Sequence, residues 1–242
     1  LRSLVGSEMC IRDSSKSDLV PDSLKISEIL YNNVPVSVRL QKIKSTQFKE
    51  TLQKIKENYL HGIEPSGFTK DIETDMFRSV FAESLPPSSP IFKAVSQWER
   101  TAVFIASIGP HLEASVKNLA EGGELYTAMF LDACGSVLIE NLVDKIQAAW
   151  EKEELLKATT GAYSVRYSPG YCGWNVEGQF TLFGYAADAN VRVTLTDSAM
   201  MFPQKSISGV MAIEKKVEGA KLMAACRFCE NKCKYARPIE KN

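Results

Sequence analysis

Glu124 to about Leu155 carries the longest helical pattern in the chain. Its middle, Asp132-Ala133-Cys134-Gly135-Ser136, consists mostly of small residues, so another element can pack closely against it. Asp132, Ser136 and Glu140 recur every four residues and share one face of the helix. An acid, a hydroxyl and an acid on one stripe either line a polar pocket or simply face solvent, and the helix alone favours the second reading.

Around that helix the chain divides into distinct stretches. Residues 1–14, LRSLVGSEMCIRDS, fit poorly with the rest of the chain and read as an adaptor-derived, non-native segment, or else a short disordered arm. Residues 15–69 form a helical N-terminal annex. Within it Leu40, Ile43, Phe48, Leu52, Ile55 and Tyr59 make one apolar face, which reads as a docking helix. Gly62 to Thr69 reads as a loop, and residues 70–100 as partly helical, broken by Pro86-Pro87-Ser88-Ser89-Pro90. Thr101 to Ile108 is an unbroken, β-branched apolar run ended by Gly109-Pro110, the mark of a buried strand. His111 to Ala120 reads as a helix closed by Gly122-Gly123. After Lys157 the composition shifts to strands and turns. Gly178 to Tyr185 and Asn190 to Thr196 are rich in β-formers, and Lys205 to Ile213 alternates like a half-buried strand. Lys215 to Ala225 reads as a short helix before a cysteine-bearing tail.

The chemistry gathers in Arg166-Tyr167-Ser168-Pro169-Gly170-Tyr171-Cys172-Gly173-Trp174. Ser168-Pro169-Gly170 reads as a tight turn, with proline presetting φ and glycine taking the positive φ that a type II turn needs. Arg166 just before the turn and Tyr171 just after it can point into one concavity. A guanidinium fork matches a carboxylate, and a tyrosine adds a ring face and a hydroxyl. This suits a small ligand with a carboxylate at one end and a flat or cationic part nearby. The alternative is an ordinary turn with a surface arginine.

Lys+Arg and Asp+Glu are both 29, so nothing points to nucleic acid or another polyanion. No apolar run approaches the roughly 20 residues of a membrane span. Six cysteines, at positions 10, 134, 172, 226, 229 and 233, do not form a secreted disulfide framework, and a reduced cytoplasmic chain is expected.

The long helix with Leu131-Asp132-Ala133-Cys134-Gly135-Ser136 and Glu140, then Arg-x-x-x-Gly-Tyr, then Ser206-Ile207-Ser208-Gly209 after Met-Phe-Pro, resembles the activation domain of cobalamin-dependent methionine synthase. It is more closely similar to free-standing relatives of that domain found beside corrinoid methyltransferases. The resemblance runs from about residue 70 to 215, with residues 216–242 as a separate tail. It implies an S-adenosylmethionine site in which Arg166 clamps the methionyl carboxylate and Gly170 admits main-chain groups. Tyr171 would pack along the ligand, and Glu140 would balance its ammonium or sulfonium charge. Ser208 and Met211 would complete the site from the Ser-x-Ser-Gly strand. Met211 stands where the methionine synthase domain has a tyrosine, and Cys172-Gly173-Trp174 replaces a proline-containing loop. The domain's acidic ligand near its start has no placed counterpart.

The resemblance further implies a cobalamin carried by a partner methyltransferase or methionine synthase module, and a flavodoxin or ferredoxin-type reductant. The expected fold is α+β: a small, twisted, mainly antiparallel sheet flanked by long helices. Cys226, Cys229 and Cys233 form C-x2-C-x3-C, a spacing that suits a zinc ion or an Fe–S cluster, with Cys172 or an external group as fourth ligand. A redox-labile tail without metal fits equally well. Two further functional readings stay open: a redox protein whose cysteine tail delivers electrons to a corrinoid protein, and a non-catalytic interaction subunit with a degenerate pocket.

Overall fold

The computed structural model describes residues 8–11 and 46–230. Residues 12–45 of the chain, most of the N-terminal annex among them, and Cys233 lie outside the described residues.

The main sheet is built from β1 (Glu8–Ile11), β2 (Ser66–Asp71), β3 (Trp98–Ser107), β4 (Tyr163–Tyr167) and β7 (Ser206–Glu214). It is antiparallel throughout, in the order β1-β2-β3-β7-β4. A two-residue hairpin, β5 (Thr194–Leu195) with β6 (Met201–Phe202), stands beside it. The helices are α1 (Thr46–Asn58), α2 (Thr74–Val80), α3 (Pro90–Ala94), α4 (His111–Glu121), α5 (Leu125–Glu154), α6 (Gly178–Tyr185) and α7 (Ala224–Phe228). The fold is α+β, as expected, with α5 as its longest element.

α5 crosses one face of the sheet. Leu138, Leu142 and Ile146 pack there on Ala102, Phe104, Met211 and Ile213, and Leu52 and Ile55 of α1 join them. The other face is closed by Phe77, Phe81, Ile91, Trp174 and Leu182 over Val103, Ile105, Val165, Val210 and Ala212. The central strands are therefore covered on both sides. β7 corrects its alternating pattern accordingly: of its nine residues only Ile207 is part-exposed.

Three other local readings are corrected. β2 occupies the second half of the expected loop. Gly67, inside that stretch, lies where α5 presses on the sheet: a Cβ there would sit 3.2 Å from Ile146 Cγ1 and closer still to its Cδ1. Gly178–Tyr185 is the helix α6, not a strand; its aromatic residues do not outweigh the need to bury Leu182. The helix expected over Lys215 to Ala225 is absent from 215–223; α7 takes only Ala224 and Ala225 of that stretch and runs on to Phe228. Glu8–Ile11 pairs along β2 as an edge strand, Glu8 opposite Lys70 and Ile11 opposite Gly67.

One buried carboxylate ties the sheet to the C-terminal helix. Glu214, fully buried at the end of β7, accepts from Trp98 Nε1 (3.1 Å), Tyr163 OH (2.9 Å), Tyr167 OH (2.7 Å) and the Ala224 N–H (3.0 Å). Tyr167 also stacks on Trp98, with centroids 5.5 Å apart. Burial, then the neighbouring Glu214, raises both tyrosine hydroxyls far above their ordinary range, so they remain donors.

Candidate functional site

β4 is pinned through Tyr163 and Tyr167 on one face, which directs Arg166, between them, to the α5 face. Arg166 lies opposite Met211 in the β4–β7 register, and Met211 is fully buried beneath it. The guanidinium, 19% exposed, sits between two carboxylates of α5. Nη1 is 2.9 Å from Asp144 Oδ1, and Nη2 is 3.5 Å from Glu140 Oε2. Nη1 is nevertheless shut off from solvent with no acceptor in hydrogen-bond geometry. Its charge is balanced while its donor is unfilled.

The chain turns as soon as β4 ends. Tyr171 N donates to the Ser168 carbonyl (3.3 Å) and Gly170 adopts φ +93°, the backbone that a type II turn demands of glycine. Gly170 N to Trp174 O (2.8 Å) and Trp174 N to Tyr171 O (2.9 Å) coil the loop further. Trp174, 2% exposed, anchors it by edge contacts to Phe77 and Phe81 and by donating Nε1 to Ser84 Oγ (3.2 Å). Tyr171 is left 71% exposed at the tip. The Ser-x-Ser-Gly strand runs directly under the loop's start. A Cβ on Gly209 would lie 2.8 Å from Ser168 Oγ, 3.1 Å from Phe104 Cε1 and closer still to the Tyr167 carbonyl oxygen.

The helix stripe is neither purely solvated nor an open pocket, because its acids meet cations. Lys205 Nζ lies 2.8 Å from Asp132 Oδ1 and donates to Ser136 Oγ at 3.0 Å, its stem crossing Gly135. The structure thus brings Arg166, Glu140 and Met211 together beside the Gly170–Tyr171 turn. The Ser208 hydroxyl is on the opposite face of the sheet, where it donates to Gln179 Oε1 at 2.6 Å. Asp144 and Lys205 were not singled out from the sequence. Asp144 continues the four-residue spacing of Asp132, Ser136 and Glu140, and that was its signal.

Cys226 lies on α7 and Cys229 caps it; both are part-exposed. α7 packs on α3, and Ser89, which caps α3, donates its hydroxyl to the Cys172 carbonyl at 3.0 Å. The cysteine loop and the cysteine tail therefore flank one short helix. Among the described residues no three His, Cys, Asp or Glu are grouped as metal ligands. A shallow cavity of about 300 Å³ lined by Glu73, Asp75, Arg78, Trp98 and Glu99 opens beside Trp98, the end of β3 away from the turn. No described helix is long and apolar enough to cross a membrane.

Residues 92–225, more than half of the chain, match the family described as vitamin B12 dependent methionine synthase, activation domain. The fold is similar to a solved structure of the MetH reactivation domain bound to AdoHcy, with a TM-score of 0.57 at 14% identity, over 91% of this chain and 83% of that one. No curated protein sequence matches the chain significantly.

Proposed function

The chain belongs to the family of vitamin B12-dependent methionine synthase activation domains, and on that premise we propose that it binds S-adenosylmethionine at the Arg166 turn and supports reductive remethylation of a corrinoid held by a partner methyltransferase. The observation that carries the proposal is the state of Arg166: a guanidinium neutralised by Glu140 and Asp144, yet with a buried Nη1 donor that no protein group fills. A carboxylate of the ligand supplies that acceptor, and the adjacent acids suit its ammonium or sulfonium. The solved relative in complex with AdoHcy supports the same ligand class.

The work of this chain's own residues is binding and orientation. Arg166 fixes the amino-acid end of the ligand, Glu140 faces its positive charge, and the turn at Gly170 leaves the main chain open to close approach, since apart from its own chain neighbours nothing lies within 4 Å of where a Cβ would stand. Tyr171 offers an exposed ring at the mouth. A corrinoid on the partner would supply the metal chemistry, and a flavodoxin or ferredoxin-type donor would supply the electron, while this chain holds the methyl donor.

Titration calorimetry with S-adenosylmethionine tests this. Arg166→Ala should weaken binding about 10- to 150-fold, the loss of a charge-assisted pair worth roughly 1.5–3 kcal/mol. Absence of binding by the wild type would sink the proposal, and equal binding by both proteins would remove Arg166 from the site.

A second reading, favoured by the shared contact of α7 and the Cys172 loop with α3, is that Cys226, Cys229 and Cys233 hold a zinc ion or Fe–S cluster near the ligand loop.

A further inference from the structure

We infer, on the strength of the S-adenosylmethionine reading, that Asp144 is the positioning residue for Arg166 and that Glu140 is the partner which gives way to the ligand. α5 and β4 run antiparallel where they touch. Gln147 Nε2 donates to Ser164 Oγ at 2.7 Å, Asp144 and Glu140 meet Arg166, and Ser136 meets Lys205. Since β4 runs from Tyr163 toward the turn, lower numbers on α5 lie nearer the turn. Asp144 therefore meets the guanidinium from behind, on the Ser164 side, and Glu140 meets it on the side where a ligand held by Gly170 and Tyr171 would arrive.

The distances divide the roles in the same way. Asp144 is at contact distance, 2.9 Å from Nη1, and Glu140 is looser, at 3.5 Å from Nη2. Asp144 balances the charge without accepting the Nη1 hydrogen in line, so that donor is held in place and left unfilled. A carboxylate behind the guanidinium lowers the ordering that the arginine, with its many torsions, must undergo on binding. An incoming carboxylate then replaces Glu140 at Nη2 and fills Nη1, and Glu140 is released toward the ligand's positive groups.

A double-mutant cycle separates positioning from a general structural role. The probe is S-adenosylhomocysteine, titrated into wild type, Asp144→Asn, Arg166→Ala and the double variant. Asp144→Asn should weaken binding by roughly 5- to 50-fold in the wild-type background and by less than about 2-fold when Arg166 is already absent. Asp144→Glu, which keeps the charge on a longer stem, should recover part of the loss. Equal losses in both backgrounds, or no loss in the wild-type background, would overturn the assignment of Asp144 alone. A wild type that fails to bind the probe would overturn the ligand reading and this inference with it.

Discussion

Gly209→Ala tests whether the Ser-x-Ser-Gly strand and the arginine turn act as one site. A Cβ at this position would stand 2.8 Å from Ser168 Oγ and 3.1 Å from Phe104 Cε1, and nearer still to the Tyr167 carbonyl oxygen. The hydroxyl can rotate away, but the carbonyl belongs to β4, whose neighbour Val210 pairs with Tyr167 in the ladder. Restoring an ordinary carbon–oxygen contact of about 3.3 Å moves the end of β4 by something on the order of 1 Å. Overpacking of that kind costs about 1–3 kcal/mol, which for a chain of this length lowers Tm by roughly 2–12 °C. Because Arg166 and the turn ride on the same strand end, S-adenosylmethionine affinity should fall by about 10- to 100-fold, well beyond what a remote destabilisation would produce. Differential scanning fluorimetry and calorimetry read the two effects on one protein preparation. Gly184→Ala is the control: it lies inside α6 with nothing within 4 Å of its Cβ position, so stability should hold or rise slightly. If Gly209→Ala binds and melts like the wild type, the close approach of strand and loop does not shape the site.

Two other outcomes are expected. If the tail holds a metal, anaerobically purified protein contains zinc, or iron with sulfide, in stoichiometric amounts. Serine at Cys226, Cys229 and Cys233 then removes it while S-adenosylmethionine still binds; a metal-free protein under strict anaerobiosis rules the metal out. Stability should also fall in alkali. Burial pushes the Cys134 thiol up to about 12 and raises the Tyr163 and Tyr167 hydroxyls as well. The unfolded chain releases the thiol proton from about pH 8.5, so the contribution is complete below that pH and is lost as pH rises toward the folded value, at about 1.4 kcal/mol per pH unit for each such group. Urea unfolding between about pH 8 and pH 10.5 should show the decline, and Cys134→Ala should make it shallower; a flat profile contradicts it.

The parts of the fold legible in sequence were those fixed by local pattern. The apolar run of β3 stops at Gly109-Pro110, α5 keeps its period for thirty residues, and Ser168-Pro169-Gly170 announces its own turn. The parts misread depend on neighbours distant in sequence. Gly67, within the expected loop, lies on a strand and makes room for Ile146. β7 alternates in composition, but helices cover both of its faces, so the alternation carries no exposure. α6 is short and apolar on most sides, where helical and strand periods cannot be told apart. In the candidate site, the turn at Gly170 and the helix repeat that carries Glu140 were readable because each is set by local spacing. Asp144 shares the four-residue spacing of Glu140, but that both acids reach one guanidinium depends on which strand lies against α5. Ser208, three residues before Met211 on one strand, falls on the far face by the two-residue period of a strand.

The Glu214 carboxylate has a mechanical consequence. Its four donors come from the first residue of β3, both ends of β4 and the first residue of α7. It therefore ties the first residue of α7 to both ends of the strand that carries Arg166. Pulling α7 away strips Oε2 of the Ala224 N–H and leaves it Tyr163 alone. A fully buried carboxylate short of one donor is costly, so whatever dislodges α7 is felt as a loss of stability at the outer end of the arginine's own strand.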